Sequence, residues 1–334
     1  MIVCASESRA LFDTLCVGAF LHRTPPFFSK RNLKTGTSMQ FSGHPVSFFY
    51  PWRFVSRELY RSIMVDFRDN GADSLVIVQE WMERILNDHV FYLDLLEMVR
   101  DAGMKLFEVH APNGPHWDLS CVFEGRRGPM IEGHKRALCY AAETGCRTYT
   151  IHIGAGQYNR FRMPIPKLRE AALRTLDELV PYAEKLGVVI AVENSFEPPN
   201  TPDEVLFLLE HFNSPALGCC YDAGHANVMA PAPGKRQDLY CPVMKEIWDG
   251  HVVEYPDALD KLAPYVVTAH LHDNDGYRDA HALPGSGSVD WPVILAKLAA
   301  CPRLISVQSE VHCDRAENEV TPGRICRKFA ELFA

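Results

Sequence analysis

Short apolar runs alternate with longer amphipathic stretches along most of this 334-residue chain. Each run reads as a strand and each stretch as a helix. The first run is Val46–Trp52, and a helical pattern follows over Arg57–Asn70. Ser74–Val78 precedes the helix Phe91–Ala102, and Lys105–His110 precedes the helix Met130–Thr144. Thr148–His152 leads through a Gly-rich turn to Pro166–Leu186. Val188–Glu193 is followed by Pro202–Phe212, for which Thr201 reads as an N-cap. Leu217–Asp222 opens onto an irregular insertion. Val266–His272, the helix Trp291–Ala300, the strand Leu304–Glu310 and the helix Thr321–Phe333 complete the series. Gly103, Gly145 and Gly187 stand where three of the helices should stop.

Eight runs, each with a helix-length segment behind it, favour a closed (β/α)8 barrel over a doubly wound sheet. Continuously apolar strands such as VVIAV suit a parallel sheet covered on both faces. No GxGxxG follows the first strand and no GxxxxGK[ST] occurs, so nucleotide-binding folds lack support. The expectation is an α/β protein with one TIM-barrel domain over residues 41–334 and a short N-terminal extension over 1–40.

Composition narrows the function. With 47% hydrophobic and 23% charged residues the chain reads as a soluble globular protein. No apolar run approaches the roughly 18 residues of a membrane span. A formal charge of −8 gives no global basic footprint and disfavours nucleic acid as a partner. Eleven cysteines, an odd number with no CxxC pair, read as reduced, mostly buried thiols of a cytoplasmic protein. Residues 1–40 are basic, and Leu11–Leu21 is apolar enough to suggest a secretory signal. Asp13 interrupts it and no clean cleavage site follows, so a poorly ordered extension is preferred. Regular patterning starts just after Met39, which makes that residue a candidate natural start.

The polar residues are informative by position. The runs end in His110, His152, Glu193, Asp222, His270 or His272, and Glu310. Strand C-termini of such a barrel converge on one mouth, so six dispersed residues become one cluster. Burying so many ionisable groups together is costly unless a cation compensates them. Mixed carboxylate and imidazole donors suit Mn²⁺, Co²⁺, Zn²⁺ or Mg²⁺. His225, three residues after Asp222, stays near the mouth on a helical turn, and Asp279 and His281 lie in the loop after the seventh strand. Asp273 and Asp275 read as loop-capping residues. Phe48, Phe49, Tyr50 and Trp52 suit a sugar-binding wall and core packing equally. The remaining histidines, His312 among them, read as structural.

VHAP at 109–112, HIGAG at 152–156, VEN at 192–194, YDAGH at 221–225 and HLHDNDGYRDAHALPGSG at 270–287 together resemble the xylose isomerase-like TIM barrels. That superfamily includes sugar isomerases and epimerases and the endonuclease IV proteins, and the resemblance covers roughly residues 45–334. It implies one divalent ion, Mn²⁺ by preference, held by Glu193, Asp222, one of His270 and His272, and Glu310. It implies substrate contacts from His225, and from Arg278 if His272 is the ligand, with His110, His152 and His281 shaping the pocket. Two positions depart from the pattern. The glycine turn is Gly285-Ser286-Gly287 where relatives carry GEG, and Pro199 stands where ketose 3-epimerases carry a further glutamate, Glu197 being nearby but out of register.

The resemblance implies a metal-dependent isomerase or epimerase of a small carbohydrate, with Glu193 and Glu310 exchanging a proton through an enediolate. A homo-oligomer is left open. Alternatives are inosose dehydratase-like lyases, the metal-dependent subunit of C-glycoside deglycosidases, and a non-enzymatic sugar-binding barrel. The sharpest rival is an endonuclease IV-type phosphodiesterase with three zinc ions, whose further ligands would fall on His110, His152, His225, Asp279 and His281. Asn113 and the lack of a DTCH-type segment after Asp222 argue against it.

Overall fold

The structure is a computed structural model and describes residues 38–313 and 320–334. The expectations for residues 1–37 lie outside them. The described residues form one compact unit. It opens with a hairpin, β1 (Gln40–Phe41) running antiparallel to β2 (His44–Phe48). Ser42 and Gly43 turn it with φ of 47° and 86°, the doubly left-handed geometry that suits the twist of a two-residue hairpin.

From β2 onward every pairing is parallel. The strands β3 (Ser74–Ile77), β4 (Lys105–His110), β5 (Thr148–Ile151), β6 (Val189–Glu193), β7 (Leu217–Asp222), β8 (Val266–Leu271) and β9 (Val307–Ser309) follow in order around the sheet. β9 closes on β2 through Val46↔Val307 and Phe48↔Ser309, giving the eight-stranded barrel expected from the eight runs. β3, β5, β7 and β8 are buried along their whole length, as strands between a filled interior and a helical coat must be.

The coat consists of α1 (Arg57–Asp69), α2 (Gln79–Asn87), α3 (His89–Asp101), α4 (Glu124–Thr144), α5 (Gly156–Phe161), α6 (Ile165–Leu186), α7 (Pro202–Phe212), α8 (Ala223–Met229), α9 (Pro242–Ile247), α10 (Ala258–Leu262), α11 (Trp291–Ala299) and α12 (Pro322–Leu332). Gly145 and Gly187 end α4 and α6 in left-handed conformation, at φ of 81° and 69°. Several elements differ from the expected pattern, β2 among them, which ends at Phe48 where the apolar run continued to Trp52. α2 is an additional helix, set off from α3 by Asp88, whose side chain accepts from Phe91 N. α4 begins six residues ahead of Met130, because packing against α6 and the Arg127–Glu178 and Lys135–Glu178 pairs carry it through Gly125, Gly128 and Pro129. Thr201 precedes α7 but its side chain makes no capping bond.

α12 seals the chain against its beginning, with Phe329 on Phe48 and Phe333 on Phe41 at centroid distances of 5.8 and 5.1 Å. The irregular stretch after α8 buries Tyr240, Met244, Ile247 and Val252 against Val228 of α8 in a small core of their own. None of the described cysteines is in a disulfide, and most are buried. No described helix is long and apolar enough to cross a membrane.

Candidate metal centre and active site

Strand periodicity delivers the site. Side chains alternate between the barrel interior and the helical coat, so His270 on β8 and His272 just beyond its end point to the same side, one layer apart. Glu193 ends β6, Asp222 ends β7, and Glu310 follows β9 directly. Glu193, Asp222, His270 and Glu310 bring one donor atom each to within 4.8 Å of one another, all four buried. His270 Nδ1 lies 3.4 Å from Glu193 Oε1, 3.8 Å from Asp222 Oδ2 and 3.0 Å from Glu310 Oε2.

Of the two histidines of HLHD, His270 thus joins the three carboxylates. Neither of its ring nitrogens finds an aligned hydrogen bond, and nor does Glu310 Oε2. Buried polar atoms are rarely left so without an ion or water to meet them. Three carboxylates and one imidazole form a donor set that fits a divalent cation.

Asp222 is tightly held. Its Oδ1 caps α8 by accepting from His225 N at 2.6 Å, and its backbone is bracketed by Asn194, whose Oδ1 accepts from Asp222 N and whose Nδ2 donates to Asp222 O. Asn194 is the last residue of the VEN motif, so sequence carried its signal without its role.

Two further groups flank the four. On one side His152 Nε2 sits 2.9 Å, and His110 Nε2 3.5 Å, from Glu193 Oε2. On the other His281 Nε2 sits 2.8 Å, and His225 Nε2 3.8 Å, from Asp279 Oδ2. Burial would raise the Glu193 carboxyl, but the charges on His152 and His270 and hydrogen bonds from His110 and His152 hold it well below the usual range. Glu310 is likewise lowered against burial, chiefly by His270. Burial would lower His270 and His225, yet the Cys220 thiol, Glu310 and Glu193 raise the first and Asp222, Asp279 and Glu193 raise the second.

These groups open into a cavity of about 320 Å³ at the strand C-termini. His110, His152, Glu193, His225, Asp279, His281 and Glu310 line it, and so do Phe49, Asn113, Phe196, Glu197 and His312. Phe48 and Trp52 are core residues, so of the aromatic segment Phe49 alone reaches this wall. Arg278 is not brought to it. Its side chain is exposed and pairs with Asp275 across 3.7 Å. Asp273 organises its loop, accepting from the backbone of Asn274, Gly285 and Val289 and from Trp291 Nε1.

Residues 57–320 match the family described as xylose isomerase-like TIM barrel. The chain belongs to this family. A relative, the uncharacterized protein MJ1311 of Methanocaldococcus jannaschii, is 30% identical over 252 residues, 72% of this chain and 75% of that protein. A D-tagatose 3-epimerase-like protein superposes with a TM-score of 0.64 at 19% identity, over 86% of this chain and 97% of that one. The IOLI protein, solved with a binding zinc atom, superposes with a TM-score of 0.62 at 17% identity, over 86% of this chain and 95% of that one. Other structural neighbours of this family member carry sugar-epimerase names. At such identities the likeness shows the barrel.

Proposed function

We propose that this protein isomerises or epimerises a carbohydrate by moving a proton at a carbon beside a carbonyl group. The observation that carries this reading is how the two glutamates divide their oxygens. Glu193 Oε1 and Glu310 Oε2 turn to His270 Nδ1, whereas Glu193 Oε2 and Glu310 Oε1 turn to His110 Nε2, at 3.5 and 3.9 Å. Each carboxylate offers one oxygen to the group of four and keeps the other beside the cavity. One glutamate can take a proton from a sugar carbon while the other returns one, a step of the kind that contributes about 10²–10⁴-fold.

Glu193, Asp222, His270 and Glu310 would hold one divalent ion, with Mn²⁺ the preferred candidate. Bound there, it supplies positive charge against the negative charge that develops on a carbonyl oxygen. His152 orients Glu193 through their 2.9 Å contact. His225 and His281 face incoming hydroxyls from the opposite side. Among the described residues the lining holds five carboxylates, Glu80, Glu193, Glu197, Asp279 and Glu310, and five histidines, against a single Arg or Lys, Arg53. With one fixed cation to meet a phosphate, a neutral sugar is favoured over a phosphorylated one.

A second reading is a phosphodiesterase that uses several ions, and one observation favours it. His110, His152 and Glu193, and separately His225, Asp279 and His281, each bring three donor atoms to within 4.8 Å. The test is a panel of ketoses, aldoses, inososes and 3-keto-glycosides, with a phosphodiester assayed alongside, incubated with the ion-supplemented protein in D₂O and followed by NMR. Deuterium at a sugar carbon is expected. Cleavage of a phosphodiester, with no carbon-bound deuterium in any carbohydrate, would overturn the first reading for the second.

A further inference from the structure

The geometry points to His272 as the residue that positions Asp222, and not as a ligand of either donor cluster beside it. The inference rests on the reading that Glu193, Asp222, His270 and Glu310 hold a cation. His272 is fully buried, so it reaches neither solvent nor substrate. Its Nε2 donates to Asp222 Oδ2 at 3.0 Å, and its Nδ1 makes no hydrogen bond. Because His225 N already holds Oδ1, the bond from His272 fixes the second oxygen and with it the plane of the carboxylate. The remaining lone pair of Oδ2 is then aimed without rotational freedom.

His272 also brings a donor atom to within 4.8 Å of those of His225, Asp279 and His281, which makes it look like a fourth ligand there. Its ring orientation forbids that role. The rings of His272 and His281 stack with centroids 3.8 Å apart and planes 13° from parallel. An imidazole nitrogen binds an ion along a lone pair in its own ring plane. Two rings stacked so nearly parallel cannot meet on one ion. His281, through its 2.8 Å contact with Asp279, belongs to the flanking group, and His272 is the ring beneath it.

Residue 224 completes the argument. A Cβ on Gly224 would come within 2.0 Å of His272 Cε1, so the glycine of YDAGH is what leaves room for the ring against Asp222. The structure therefore assigns a job to two positions, 224 and 272, that bind nothing themselves.

Co²⁺ is the probe, because its visible absorption reports the donor set while a titration reports affinity. His272→Phe keeps a ring under His281 and removes the donor to Asp222. It should weaken Co²⁺ about 10–100-fold, the usual effect of losing a partner behind a ligand, with the absorption of bound cobalt unchanged. His272→Gln retains an N–H and should restore much of the affinity, whereas His270→Gln should alter the spectrum. Wild-type affinity in His272→Phe would overturn the inference. So would a spectral change in His272→Phe with none in His270→Gln, or a full chain that binds no Co²⁺. If His272→Phe does not fold, Gly224→Ala, which displaces the ring, should show the same loss of affinity, and unchanged affinity there overturns the inference equally. None of these measurements uses a sugar. A protein that binds cobalt as expected but exchanges no sugar proton would remove the proposed reaction and leave this role standing.

Discussion

Glu193 and Glu310 stand on or beside strands three apart around the barrel, yet each places one oxygen next to His270 Nδ1, at 3.4 and 3.0 Å. Two buried carboxylates brought this close repel each other, and Asp222 adds a third. A histidine at their centre relieves part of that repulsion, and a divalent ion would relieve more. The same closure leaves the other oxygen of each glutamate beside His110, which lines the cavity.

Removing the ion should therefore cost stability as well as activity. A ligand bound only by the folded state stabilises by about 2.7 kcal/mol at a hundred times its Kd. Chelation should lower the melting temperature, and Asp222→Asn should weaken binding enough to abolish the shift. Scanning calorimetry with and without a chelator checks this. Identical melting curves for the wild type would remove the cation from the account.

The two glutamates should be separable from the fold. Glu193→Gln and Glu310→Gln preserve size and hydrogen-bonding reach but remove the ability to carry a proton. Solvent deuterium exchange into the sugar should fall by about 10²–10⁴-fold in each, with an unchanged circular dichroism spectrum. An amide variant that still exchanged at the wild-type rate would assign the proton transfer to another group.

Much of this site was legible in the sequence, because a strand that ends in His, Asp or Glu announces itself by period two and barrel closure does the rest. Which of His270 and His272 stands nearer the carboxylates was not, since two residues two apart share a face by period and only the donor distances and the ring stack on His281 separate them. The expectation for Arg278 is tied to His272 as the ligand; in the structure the arginine side chain is exposed and pairs with Asp275 across 3.7 Å. His312 escaped notice because no strand pattern contains it. It reaches the wall through a tertiary contact, its N–H donating to His281 O at 3.0 Å. α2 was missed for a different reason: nine residues behind an uncapped Val78 carry too short a pattern to separate from the helix that follows.

Two further buried groups should give stability opposite slopes with pH. His134, wedged between Tyr149 Oη and Trp117 O at 2.9 Å each, is pushed down by burial to about 4. The unfolded chain takes up that proton first on acidification. The contribution of His134, up to about 3 kcal/mol, is complete above pH 6.5 and lost as pH falls towards 4. Asp118 is pushed up by burial to about 6, so its carboxyl is best tolerated in the fold while protonated. Its contribution is complete below 3.8 and lost as pH rises towards 6. The gap between wild type and His134→Gln should narrow from pH 6.5 to 4. Asp118→Asn should gain on the wild type over the rise to pH 6, since an amide oxygen still accepts from Gly156 N. Urea titrations across this range measure both, and a reversed sign in either would contradict the burial of that group.

The outer wall of the cavity should control binding and leave the proton transfer alone. His312 stacks on Phe49 with centroids 4.8 Å apart and planes 8° from parallel, and on His281 at 4.0 Å. His281 stacks in turn on His272, so the ring of His312 stands two rings away from the one bonded to Asp222. A platform at that distance meets the sugar body equally before and during reaction. Such uniform binding shows in KM and not in kcat. An aromatic contact contributes about 0.5–1.5 kcal/mol, so His312→Ala should raise KM by about 2–12-fold while kcat stays near the wild-type value. Steady-state kinetics on whichever sugar exchanges its proton decides the point. A drop in kcat at constant KM would mean that the ring column transmits to Asp222, and the wall would then have to be counted among the groups that set the geometry of the reaction.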